Sequence, residues 1–161
     1  MKEIKLLIWG LLILYVQVLL MSKLELFDVI PNLLIAFTVF VSLKLKMEVA
    51  TVMIFLIGIA YDLTYPLLLG LNTIALLLIS LIVVKLQSNI NKERFSVVSI
   101  GIFILNLFYY SIFMLYYLFI NQFGLSEVYV FLLSAIYNTF ISILFIYLLI
   151  VFDRIKLHLD V

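Results

Sequence analysis

Gly58-Ile59-Ala60-Tyr61-Asp62-Leu63-Thr64-Tyr65-Pro66-Leu67-Leu68-Leu69-Gly70-Leu71-Asn72 is an apolar stretch broken by one carboxylate, a proline, a glycine and an amide. Apolar runs flank it, Val49 to Tyr61 on one side and Leu68 to Val84 on the other. Together they fall short of the roughly 40 residues that two full crossings of a hydrocarbon core about 30 Å thick need. The turn holding Asp62, Tyr65, Pro66, Gly70 and Asn72 is therefore short or submerged. Irregular backbone at such depth survives only where protein buries it or a water-filled cavity faces it.

Outward from this turn the chain keeps the same character. Of its 161 residues 68% are hydrophobic and 12% charged, where a soluble domain carries about 25% charged residues. There is too little polar surface to solvate a globule, so lipid must be the solvent for much of the exterior. Charges at Lys23 to Asp28, Lys44 to Glu48, Asp62, Lys85 to Arg94 and Glu127 separate six apolar segments. These predict helices over approximately 4–21, 29–43, 49–65, 68–87, 95–120 and 128–152, in one integral membrane domain covering 1–161. The segments lack the alternation of a barrel strand, so the class is all-α, a polytopic transmembrane bundle of about six helices. Lys2 and Lys5 before the first apolar run imitate a signal peptide. Leu19-Leu20-Met21-Ser22-Lys23 offers no small-x-small cleavage site, which predicts a retained first helix. With the amino terminus inside, all of the 10 Lys and Arg except Lys23 become cytoplasmic. The positive-inside bias thus places both termini in the cytoplasm.

The same inventory excludes much chemistry. A net charge of +1 and scattered cations give no nucleic-acid footprint. With no cysteine and one histidine, His158 in a charged tail, thiolate and imidazole metal sites lack donors. No phosphate loop, paired catalytic carboxylates or supported nucleophile is visible, which predicts no enzyme activity, no cofactor and no metal.

What remains are polar and small residues inside apolar helices. Asp62 calls for a partner, since a carboxylate at the centre of a membrane helix costs about 2.5 to 3.5 kcal/mol on insertion scales, and less near the interface. It is read as an interfacial cap touching water, a structural hydrogen-bond acceptor, or a group that handles protons or ions. Gly58, four residues earlier on the same face, admits another backbone. Ser134, Asn138 and Ser142 recur at intervals of four and form one stripe, and Gly10, Gln17 and Asn106 join them as polar or small positions. Each is either an internal seam or a docking face for a partner's helix. Tyr109, Tyr110, Tyr116 and Tyr117 read as an interfacial aromatic belt.

Pro31-Asn32-Leu33-Leu34, then Gly58-Ile59-Ala60-Tyr61-Asp62-Leu63, then Gly70-Leu71-Asn72 resembles the MreD family, rod-shape-determining membrane proteins of bacteria. That family's pattern runs proline-aspartate-leucines, glycine-x-x-x-aspartate and glycine-leucine-asparagine, and the closing Tyr137-Asn138 also fits. Asn32 departs from it by standing where aspartate is usual. The resemblance implies a non-enzymatic scaffold of the cell-elongation complex in the cytoplasmic membrane. It would bind the single-span protein MreC, help regulate peptidoglycan synthesis by RodA and its class B penicillin-binding protein, and lie above MreB; a homodimer stays open. The family also resembles the substrate-binding subunits of energy-coupling-factor transporters in its six helices. The alternative is thus a vitamin-type transporter subunit, although the alanine spacing by which those subunits dock is missing from Ile4 to Met21.

Overall fold

The computed structural model describes residues 2–64, 68–87, 95–120 and 124–159. Among them the chain forms α1 (Lys2–Leu20), a single 3₁₀ turn (Met21–Leu24), α2 (Leu33–Lys44), α3 (Met47–Asp62), α4 (Leu71–Leu86), α5 (Phe95–Phe119) and α6 (Leu125–Leu159). The all-α bundle of six helices is the architecture that hydropathy predicts. Three stretches are long and apolar enough to cross a membrane: Glu3–Leu24, Val97–Phe119 and Glu127–Val151. The chain is a membrane protein on that ground as well as on composition.

The bundle is built around α2. Its residues from Leu33 to Ser42 are all buried, as expected of a helix that is apolar all round. It contacts each of the other five helices. The surrounding helices each turn one stripe inward. On α1 the stripe is Gly10, Ile13 and Gln17, and on α3 it is Ala50, Met53, Ile54, Ile57, Gly58, Tyr61 and Asp62. Intervals of three and four residues repeat along both. Outer faces are apolar too, with Ile4, Tyr15, Val52, Ile100 and Phe140 largely exposed, which suits lipid.

Several boundaries differ from the hydropathy reading; α4, expected from 68, begins at Leu71, and α6, expected from 128, begins at Leu125. The helix expected over 29–43 starts at Leu33, because Asn32 caps it: its side chain accepts from the Leu34 N–H at 3.0 Å. Before it, Leu26 and Val29 exchange backbone hydrogen bonds of 3.0 Å around Phe27 and Asp28, whose φ of 53° and 62° lie in the left-handed region. That is a two-residue hairpin turn. The helix expected to run to 65 stops at Asp62, whose side chain is committed elsewhere. The last helix, expected over 128–152, extends to Leu159, since backbone hydrogen bonding continues past the point where the side chains stop being apolar.

With 12 residues α2 is short, about 18 Å at 1.5 Å per residue against a core of about 30 Å. The missing length is supplied by the extended segment from Val29 to Asn32. Val29 and Asn32 are 2% and 5% exposed, so this non-helical backbone must find its hydrogen bonds inside the protein.

Candidate functional site

Those hydrogen bonds come from amide side chains of the first and last helices. On α1, Gln17 donates through Nε2 to the Pro31 carbonyl and accepts through Oε1 from the Leu33 N–H, both at 2.8 Å. On α6, Asn138 accepts the Asn32 N–H, and its own Nδ2 donates to the Ser134 carbonyl at 3.0 Å. Two side chains thus close three backbone groups that the break before α2 would leave bare. Between unsatisfied groups in hydrocarbon and two well-placed amides, the amides win, since each orphan costs several kcal/mol.

A second cluster lies at the same end of the bundle. The Asp62 carboxylate is 2% exposed and accepts five hydrogen bonds. They come from the N–H groups of Gly70 (3.0 Å), Asn72 (3.2 Å) and Thr73 (2.9 Å), from Asn72 Nδ2 (2.8 Å) and from the Thr73 hydroxyl (2.5 Å). A carboxylate at its own helix's carboxyl end is badly placed relative to that dipole. Here the amino end of α4 offsets this, presenting orphan N–H groups and the positive end of its own dipole. Gly70 caps α4 at φ 91°, a backbone conformation that other L-residues adopt only with strain. Nothing lies within 4 Å of where its Cβ would be, so that φ is what requires glycine here. Gly58 lets α3 and α4 approach closely enough for this: a Cβ there would stand 2.8 Å from the Thr73 Cα.

Tyr109 joins the two clusters. Its hydroxyl accepts from Asn32 Nδ2 at 3.0 Å and donates to Asn72 Oδ1. From Asn32 through Tyr109 and Asn72, every group donates towards Asp62. Such a chain polarises in one sense and ends on the negative charge it helps to solvate. Five helices and the cap of α2 contribute a member each: Gln17, Asn32 (the cap), Asp62, Asn72, Tyr109 and Asn138. Tyr109→Phe removes the one hydroxyl in the middle and leaves Asn32 Nδ2 and Asn72 Oδ1 unpaired. We expect a loss of about 1 to 3 kcal/mol, read as a lower thermal midpoint of the purified protein in detergent; an unchanged midpoint would dispose of the link.

The predicted polar and small positions among the described residues are buried, except Gly70, which is half-buried and has open space where a Cβ would stand. Gly10 lies against the Ile57 and Phe37 side chains. Ser134, Asn138 and Ser142 are 6%, 0% and 0% exposed. Asn106 Nδ2 donates to the Ile102 carbonyl at 2.9 Å, while Asn106 Oδ1 and the Ser142 hydroxyl are buried without a hydrogen-bond partner. Pro66 lies outside the described residues. The belt reading of the tyrosines is corrected at Tyr109, which is 2% exposed and central to the network. Its signal was available in the spacing Asn106, Tyr109, Phe113, an inward stripe. Thr73 was missed as well, and so was the Ser42 to Ser80 hydrogen bond of 2.8 Å joining α2 and α4.

Chemically, this arrangement holds helices together. The Asp62 oxygens are occupied by the chain's own donors, and among the described residues no group of three or more carboxylates or imidazoles could hold a metal. A family model described as rod shape-determining protein MreD matches residues 2–156. The chain belongs to the MreD family. The match takes in all six members of the network, so this MreD-family chain carries it within the matched region. No curated protein and no solved structure matches the chain.

Proposed function

We propose that the chain is a non-enzymatic scaffold of the bacterial cell-elongation complex, crossing the cytoplasmic membrane six times with both termini inside. It binds MreC within the bilayer and, through it, helps regulate peptidoglycan synthesis by RodA and its class B penicillin-binding protein above MreB. The network then lies at the outer end of the bundle, and Lys44, Lys46 and Lys85 at the inner end, as the positive-inside bias favours.

One observation carries this reading. A chain in a rod-shape-determining family commits its one buried carboxylate among the described residues, Asp62, to five internal donors. A transport or relay site needs polar groups that can let go of one partner and take another. A scaffold needs a rigid body with outward apolar faces. The test is to co-express the tagged chain with MreC from the same bacterium and purify it in mild detergent. Retention of MreC at near-equal stoichiometry, together with rounding of rod-shaped cells on depletion of the chain, is the expected result. A chain that retains no MreC, and whose depletion leaves rods, would refute it.

A further inference from the structure

The hairpin turn before α2 stands out for its backbone. Phe27 and Asp28 are the two residues other than glycine with positive φ among the described residues. A two-residue turn of that hand is ordinarily made by Asn-Gly or Asp-Gly, and a bulky aromatic in the left-handed region is a steric outlier. The turn is nonetheless held firmly. Met21 and Val29 on its two sides are buried, Leu26 and Val29 exchange two backbone hydrogen bonds of 3.0 Å, and the Tyr137 hydroxyl donates to the Leu24 carbonyl at 2.9 Å. What this rigid turn displays is apolar. The Phe27 ring is 76% exposed and Leu24 and Leu26 are half-exposed, with the exposed Lys23, Glu25 and Asp28 set among them in sequence.

We propose that this turn is an interfacial anchor: Phe27, with Leu24 and Leu26, enters the boundary between acyl chains and headgroups of the leaflet at the network's end of the bundle. Depth selects lipid as the occupant. From the exposed Glu3 to Leu24, α1 and the 3₁₀ turn rise about 33 Å, or about 31 Å at an ordinary tilt of roughly 20°. A hydrocarbon core is about 30 Å thick, so Leu24 arrives at its far edge with the headgroup layer still ahead. The bonds to buried Val29 then keep Leu26 and Phe27 from rising into water. The apolar surface leading to the turn is continuous, with Tyr15, Leu19 and Leu20 exposed along α1. Aromatic rings are favoured at this depth, and exposed charges of both signs suit the phosphate and ammonium of lipid headgroups. The inference needs only that the chain spans a bilayer, and it stands or falls apart from the scaffold reading.

The test uses the full chain in phosphatidylcholine vesicles. Trp9 is its one tryptophan, so Trp9→Phe combined with Phe27→Trp leaves a single emitter at the turn. Combined instead with Phe140→Trp, on the exposed face of α6 midway along its apolar span, it gives a mid-depth control. The lipids carry a quencher on the headgroup, shallow on the acyl chains or deep on them. Position 27 should be quenched severalfold more by the headgroup and shallow labels than by the deep one, and severalfold less by aqueous iodide than free tryptophan is. The order of the lipid labels should reverse at position 140. Iodide quenching at position 27 as strong as in water, with no lipid label effective, would overturn the anchor. Shielding from iodide without lipid quenching, the mark of contact with a second copy, would overturn it as well. Should the tryptophan variant fail to fold, a spin label on Phe27→Cys in this cysteine-free chain reads the same depth from its collisions with oxygen and with a water-soluble nickel chelate. Phe27→Asn separates anchoring from packing. Asparagine suits the left-handed backbone, so the thermal midpoint in detergent should equal or exceed that of the wild type. A lowered midpoint would mean that the ring packs on the protein itself, and the anchor would be lost with it.

Discussion

Asp62→Ala should lower the thermal midpoint of the purified protein by on the order of 10 °C, the largest effect expected of any single change in the bundle. The substitution strands five donors that now converge on one carboxylate: three backbone N–H groups at the start of α4, the Asn72 amide and the Thr73 hydroxyl. Buried donors without an acceptor cost about 1 to 3 kcal/mol each when nothing relaxes. Some recover partners as the turn loosens, so a net loss of about 3 to 5 kcal/mol is expected. Asp62→Asn separates charge from shape. It keeps the volume but points an amide N–H₂ at one set of donors, and should cost roughly half as much. Detergent melts followed by fluorescence or aggregation read both variants. If Asp62→Ala melted with the wild type, the carboxylate would not be holding the α3 and α4 ends together.

Gly58→Leu should be the second most damaging change, and for a different reason. A Cβ at Gly58 would lie 2.8 Å from the Thr73 Cα, a backbone atom that cannot swing aside. The two helices must separate, and Thr73 then leaves the Asp62 carboxylate. Overpacking of this kind costs about 1 to 3 kcal/mol for the smaller Gly58→Ala, and the leucine should add loss of the Thr73 contacts. The other glycines supply an internal scale. A Cβ at Gly10 meets the Ile57 terminal methyl and the Phe37 ring, side-chain atoms that can turn, and one at Gly101 meets nothing within 4 Å. Midpoints should therefore fall in the order Gly58→Ala, Gly10→Ala, Gly101→Ala, with the last at or slightly above wild type because alanine favours the helix. An equal response at Gly58 and Gly101 would contradict the close approach.

Gly58, Asp62, Gly70 and Asn72 could be singled out from sequence because they interrupt apolar runs, and interruptions in a membrane chain are visible one-dimensionally. How they meet was not visible. Sequence offered Gln17 and Asn138 as internal seam or as docking face, since a helical stripe fixes which residues share a face but not what the face meets. Only the fold brings Gln17 and Asn138 to the backbone at Pro31, Asn32 and Leu33. Tyr109 faces inward, where the belt reading expects an outward, interfacial ring. An aromatic near the end of a span suits the interface, and hydropathy does not distinguish it from its neighbour Tyr110. The start of α2 was misread because Val29 and Ile30 are as apolar as the helix they precede, and apolarity reports burial, not backbone conformation.

The amide from Asn138 reaches back 106 positions to the Asn32 N–H. During synthesis, α2 enters the membrane long before α6 exists, so its first turn waits with an open backbone donor until the last helix arrives. The bundle is consequently unfinished at every intermediate length. A premature stop before Asn138 leaves a buried defect inside the bundle, next to the segment that opens α2, and not merely a shortened tail. Surveillance proteases that recognise exposed polar backbone in the bilayer would see such a chain as misassembled even though five of its helices are in place.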